Sequence, residues 1–388
     1  MAAPKRNPSP FAESLAKPSP HPAAPIPIAR PRLPASEAIG PYLDRIDAAR
    51  WYSNYGPLVK ELEGRIAERL GGASVCTVAN GTAAITLALR AAGARAGTLC
   101  LMPAWTFVAS AHAAIEAGLT PCFVDVDPDT WMLDPAATRA AAESAPGEVG
   151  AIMPVAAFGH VPDLAAWRDV ADETRIPVVV DGAAGFDGLA CAPVPVTVSL
   201  HATKTVAAGE GGFVACDDRD LVERVRALTA FGFYGDRLSR MPATNAKLSE
   251  YAAAVALASL DAWPADRARF GLTAQRLRAG LALEPQIAFQ PGWGVRWISS
   301  VCVVGVPDGA AAAMKLALGA EGVETRDWWG KGCHTHPAFA ACPRAPLPVT
   351  DRLAHATLGL PYFIDLEEDA SARIAQALHT ALRVAIDG

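Results

Sequence analysis

Residues 177–212 read PVVVDGAAGFDGLACAPVPVTVSLHATKTVAAGEGG, and this stretch decides the fold class. It opens on an apolar strand, Pro177 to Asp181, that ends in a carboxylate. A second strand, Val194 to Val198, runs into Ser199-Leu200-His201-Ala202-Thr203-Lys204. The glycine-rich turn Gly209-Glu210-Gly211-Gly212 follows, and then a third strand, Phe213 to Cys216. Strands that are apolar along their whole length are buried on both faces, which is the habit of parallel sheets covered by helices.

The same alternation extends outward. Pro57 to Leu70 has apolar residues at 58, 59, 62, 66 and 70, which is helical spacing. Asn80-Gly81-Thr82 precedes a helix over Ala83 to Ala92. Strands are predicted at Thr98 to Met102, Pro121 to Val126 and Gly150 to Val155, with helices from the Pro103 loop to Ala117 and over Leu164 to Glu173. A long helix is expected from Ser249 to Trp263, with Pro264 as its boundary or a hinge. Beyond it, Ser299 to Val306 reads as a strand, and Ala310 to Leu318 and Ala370 to Ile386 as helices. The expectation is an α/β protein: a large domain over 35–264 with a mainly parallel sheet, then a smaller α+β domain over 265–388. Ligands of such sheets sit at the carboxyl ends of the strands. Residues 1–34 carry ten of the 32 prolines and no continuous apolar run, so they read as an extended, poorly ordered arm rather than a signal peptide.

Composition narrows the function classes. The net charge of −6, with no basic stripe, gives no case for nucleic acid. No run of about 18 apolar residues predicts a membrane span, and a cytoplasmic protein is the default. The eight cysteines are scattered, mostly in apolar runs, and read as buried free thiols. The Cys333-His334-Thr335-His336 cluster near Cys342 fits no regular zinc spacing, so no metal is expected.

Lysine is scarce: seven residues against 27 arginines. Lys204 lies among small residues between an apolar strand and a glycine turn. In an apolar pocket a lysine loses its charge more readily and can form a Schiff base. Asp181, at a neighbouring strand end, could pair with a protonated pyridine nitrogen, as pyridoxal 5′-phosphate (PLP) chemistry requires. Asn80-Gly81-Thr82-Ala83 opens a helix, whose free N–H groups favour phosphate. Alone, Asp181 reads more readily as a turn or cap residue and Lys204 as a surface lysine. Jointly with the phosphate-site candidate they point to PLP.

These residues, with Ser53 to Pro57, Pro103 to Ala109, Phe123 to Asp127 and Asn245 to Glu250, make the chain resemble the DegT/DnrJ/EryC1/StrS aminotransferases. That family aminates nucleotide-linked keto-sugars, and its relatives aminate cyclitols. The resemblance runs to Leu360-Pro361 and implies the aspartate-aminotransferase-like fold, PLP fold type I. It implies that Lys204 binds PLP covalently and Asp181 pairs with its ring nitrogen. Phe107 would stack on the ring, and Gly81, Thr82, Ala83 and Ser199 would hold the phosphate. Asn245 would reach the cofactor of a neighbouring subunit, in a homodimer with shared sites. Phe231, Tyr234, Arg326, His334 and His336, with the Trp328-Trp329 pair, are candidates for substrate contact. One departure stands out: the family has glutamine or histidine where this chain has Ala184.

The implied reaction takes an amino group from glutamate and passes it to a nucleotide-linked keto-sugar, giving an amino sugar. A lyase or dehydratase of the same fold and a non-catalytic PLP-binding sensor are the alternative readings.

Overall fold

The computed structural model describes residues 24–387. In chain order the elements are α1 (Ser36–Ala49), α2 (Pro57–Arg69), β1 (Ser74–Val78), α3 (Gly81–Ala91), β2 (Leu99–Pro103), α4 (Val108–Glu116) and β3 (Thr120–Val124). Then come α5 (Pro135–Glu143), β4 (Val149–Ile152), α6 (Leu164–Thr174), β5 (Val180–Asp181), β6 (Val196–Ser199), β7 (Gly212–Cys216) and α7 (Arg219–Thr229). The chain ends with α8 (Glu250–Gly280), β8 (Ala288–Phe289), β9 (Cys302–Gly305), α9 (Ala311–Ala320), α10 (Pro348–Ala356), β10 (Thr357–Leu360) and α11 (Glu368–Asp387).

Two ladders, β3-β2-β4 and β5-β6-β7-β1, are joined by parallel bridges from Ile152 to Val178 and from Val155 to Asp181. The result is one continuous surface in which β7 alone runs against its neighbours. The alternation of side chains is visible in the core. Val178, Val180 and Leu101 enter one buried cluster, while Val179, Cys100 and Met102 enter a second on the opposite face. This is why the strands are apolar throughout. A third cluster gathers Leu277, Val304, Leu358, Ile374 and Leu378, around the three-stranded sheet β10-β9-β8. The mainly parallel sheet covered on both faces is the α/β architecture expected.

Two expectations need correction. The helix predicted to stop at Trp263 runs on to Gly280, with Pro264 inside it. Proline removes one helical N–H bond. Here both flanks are anchored: Asp261 takes Tyr42 at 2.7 Å and Arg65 at 2.8 Å, and α8 packs against α1, α2 and α11. The proline-rich arm falls outside the described residues up to 23. From 24 to 34, however, it is docked. Ile26 and Ile28 are buried, Ile26 N–H donates to Gly322 O at 2.8 Å, and Ile28 N–H donates to Glu324 Oε2 at 2.9 Å. Apolar residues at alternate positions make an edge-strand pattern that proline tolerates.

No helix among the described residues is long and apolar enough to cross a membrane. The eight cysteines are free thiols, with Cys191 alone exposed.

Some distant contacts fix the frame. Glu250, at the start of α8, accepts the Leu58 and Val59 N–H groups at 2.8 and 3.0 Å, so a buried carboxylate caps α2. Its fit is tight: a Cβ on Gly56 would lie 2.6 Å from the Glu250 carboxyl carbon. Glu250→Ala leaves two buried donors unpaired and is expected to cost about 1–3 kcal/mol. Denaturant unfolding of the apoprotein checks this; an unchanged midpoint contradicts the role.

Candidate active site

The site lies where β5, β6 and α3 converge. Asp181 ends β5, with 5% of its surface exposed. Ser110 Oγ–H donates to its Oδ2 at 2.6 Å, and the Ala183 N–H donates to Oδ1 at 3.0 Å. Thr106 Oγ1 lies 2.8 Å behind Ser110 Oγ, and both hydroxyls are buried. Burial pushes the Asp181 carboxyl up from its ordinary value, against the pull of Ser110, Ala183 and the Lys204 charge.

Lys204 sits on the loop between β6 and β7. That loop is pinned by Leu200 N–H to Gly211 O at 2.8 Å and Ala202 N–H to Gly209 O at 2.8 Å. Gly209 holds φ +84°, a turn that favours glycine. Lys204 N–H donates to His201 O at 2.8 Å, which fixes the loop tip. Burial lowers the Lys204 pKa, while Asp181 opposes the shift. The two groups therefore perturb each other across the cleft they share, as reactive pairs do.

The third part is the α3 N-terminus. Asn80 Oδ1 caps it by accepting the Ala83 N–H at 2.8 Å, so the Ala83 amide is already used. The Gly81 and Thr82 amides find no acceptor among the described residues. A Cβ on Gly81 would lie 3.1 Å from Ser199 Oγ, and one on Gly212 would lie 2.9 Å from Asn80 O. Glycine at both positions lets the helix end approach the Ser199 hydroxyl closely enough to form one cradle. Helix dipole, two free amides and a hydroxyl make an anion site.

The residues fit PLP. The cradle suits its phosphate, and the buried Asp181 suits a cationic ring nitrogen. Phe107, on the same α4 end as Ser110, is an exposed apolar ring in the cleft at 56%. Lys204 supplies the amine.

Gly81, Thr82, Ala83, Phe107, Asp181, Ser199 and Lys204 all line one cleft of about 1030 Å³. Of the substrate candidates, Arg326, Trp328 and Trp329 line it too. Ala184 lines it without a polar side chain. The others do not. His334 is buried, 3.6 Å from Asp351 by its Nε2, and its pKa is lowered by burial. His336 is exposed outside the cleft. Their segment serves packing instead, with Cys333 N–H on Ala104 O at 2.7 Å and Phe339 against Phe123. Phe231, Tyr234 and Asn245 are exposed and lie outside the cleft of their own chain.

Sequence reasoning missed Ser110 and Thr106, and it missed the arm residues Ile28 to Pro34, which line the cleft. Ser110 follows Phe107 by three residues at a helix start, so the shared face was a usable signal.

The profile of the DegT/DnrJ/EryC1/StrS aminotransferase family matches residues 35–379. Protein Rv3402c of Mycobacterium tuberculosis (strain ATCC 25618 / H37Rv) is 32% identical over 374 residues, covering 92% of this chain and 90% of its own. The dTDP-4-amino-4,6-dideoxy-D-glucose transaminase of Shigella dysenteriae is 35% identical over 243 residues, 61% of this chain and 65% of its own. The crystal structure of DesI in the presence of its TDP-sugar product superposes with a TM-score of 0.83 at 35% identity. It covers 92% of this chain and 93% of that one.

Two predictions follow from the geometry. A lowered Lys204 pKa leaves more neutral amine near neutrality, so apoenzyme should capture PLP with a pH profile whose midpoint lies below the 10.5 of a free lysine. A midpoint at or above that value contradicts the burial argument. Ser110→Ala removes a donor to the ionised carboxylate and should raise the Asp181 pKa further, read by carboxyl NMR titration of the apoenzyme. An unshifted titration contradicts the role of Ser110.

Proposed function

The chain belongs to the DegT/DnrJ/EryC1/StrS aminotransferase family, a family of PLP-dependent transaminases, and on that premise we propose that it moves an amino group from glutamate to a nucleotide-linked keto-sugar. The observation that carries this reading is the convergence of Lys204, Asp181 and the α3 N-terminus in one cleft whose far wall has room and polar groups for a large second molecule. The TDP-sugar product of DesI and the dTDP-sugar acted on by the Shigella transaminase support the acceptor class.

Bound in this cleft, PLP supplies an electron-withdrawing ring that takes up charge from a substrate carbon. The protein does the rest. The Gly81 and Thr82 amides and the Ser199 hydroxyl would hold the phosphate, and Phe107 would cover a ring face. Asp181, whose carboxylate form Ser110 and the Ala183 amide favour against burial, would pair with the ring nitrogen. The Lys204 amine would take a proton from the substrate carbon as a base and give it up later as an acid. Exposure of Asn245, Phe231 and Tyr234 outside their own cleft supports a homodimer in which they complete the neighbouring site. The cytoplasm, where nucleotide-linked sugars are made, is the proposed location.

In a two-stage assay, glutamate should bleach the visible band of the PLP-loaded protein and release 2-oxoglutarate. A nucleotide-linked keto-sugar should then restore the band. Lys204→Ala should slow the proton transfers by at least about 100-fold. A band that glutamate leaves untouched would remove the donor from this reading and favour a lyase or a sensor.

A further inference from the structure

Part of the cleft lining comes from the arm that composition alone reads as disordered. Ala24 to Arg30 docks on the third core cluster: Arg373 Nη1 donates to Ala24 O at 2.8 Å, Glu324 N–H to Ile26 O at 3.0 Å, and Tyr362 N–H to Ile28 O at 3.3 Å. Pro31 to Pro34 then leads to α1, so the chain straps one side of the cleft to the other. Seven consecutive residues, Ile28 to Pro34, line the cleft.

This wall carries three guanidinium groups. Arg30 lies over the Phe363 ring at 4.9 Å and reaches Asp365 only at 3.5 Å, with more than half of its side chain exposed. Arg326 lies over Trp328 at 4.9 Å. Neither Arg326 nor Arg32 has an ion-pair partner among the described residues. The two carboxylates of the wall are turned elsewhere: Glu324 accepts the Ile28 N–H, and Asp266 lies 3.8 Å from Arg269. Arg32 and Arg326, with no ion-pair partner among the described residues, and the exposed fork of Arg30 beyond its 3.5 Å contact with Asp365, are arranged to receive anionic oxygens.

We propose that the strap Ile28–Pro34 is a substrate-binding wall, in which Arg32, with Arg30 and Arg326, binds an anionic group of the substrate. This inference rests on the transaminase reading above. That reading offers two sources of such a group: the carboxylates of the amino donor and the diphosphate of a nucleotide-linked acceptor. Both present paired anionic oxygens to a guanidinium fork. The strap thereby makes the N-terminal segment part of the site's specificity rather than a tether.

The test is calorimetric titration of the full-length, PLP-loaded protein with two probes, glutarate and thymidine diphosphate. Wild type is compared with Arg30→Gln, Arg32→Gln and Arg326→Gln. These side chains are exposed and the strap's anchoring bonds are backbone ones, so cofactor occupancy and unfolding midpoint should stay unchanged. Loss of a charge-assisted contact should weaken one probe about 10-fold or more, with partial rescue by Arg32→Lys. Weakened thymidine diphosphate with unchanged glutarate assigns the wall to the acceptor diphosphate, and the reverse assigns it to the donor. If wild type binds both probes and all three variants bind them equally well, the inference is overturned. If wild type binds neither, the substrate reading itself fails and takes this inference with it.

Discussion

A carboxylate buried to 5% exposure at the end of β5 sets the central constraint on this site, because burial favours its neutral form. Burial alone would neutralise Asp181. Two short donors, Ser110 Oγ and the Ala183 amide, oppose it, and Lys204 adds a cation across the cleft. Ser110 is there because α4 begins directly beyond β2, and Ala183 because the chain turns sharply after β5 at Gly182. The order of strands thus places the charge, and the loops after the strands temper it. These groups pull the Asp181 pKa down, while burial, the larger influence, holds it above its ordinary value.

The second constraint is steric. The helix that presents free amides has to come within contact of the loop that carries Lys204. Glycine at 81 and at 212 makes this approach: a methyl group at either would meet Ser199 or the Asn80 carbonyl. The phosphate cradle and the reactive amine are therefore parts of one close-packed junction.

The fold was legible because both sheet faces are covered, which forces apolar runs such as Val178 to Val180 that no surface strand would carry. Lys204 and Asp181 were legible because a scarce residue type fell between an apolar strand and a glycine turn. What stayed hidden has physical reasons. Ser110 is one hydroxyl among many, and only the tertiary fold puts it against Asp181. The helix through Pro264 survives because Asp261 and its partners outweigh one lost bond, a cost that local rules read as a stop. The arm's prolines disguised the buried pair Ile26 and Ile28, whose partners lie almost 300 residues away at Val323 and Glu324. His334 and His336 looked chemical in sequence, yet one is packed beside Phe123 and the other is exposed and is not part of the cleft lining.

The strap Ile28–Pro34 lines the same cleft as the proposed cofactor cradle, so Arg32 from the first third of the chain and Arg326 from the last third meet at one cleft. The most direct check on the central claim is borohydride reduction of the PLP-loaded protein followed by peptide mass mapping. The account predicts a pyridoxyl mark confined to the peptide carrying Lys204, and its loss when glutamate is added before the reductant. A mark on Lys247 or any other lysine, or no mark at all, would contradict it.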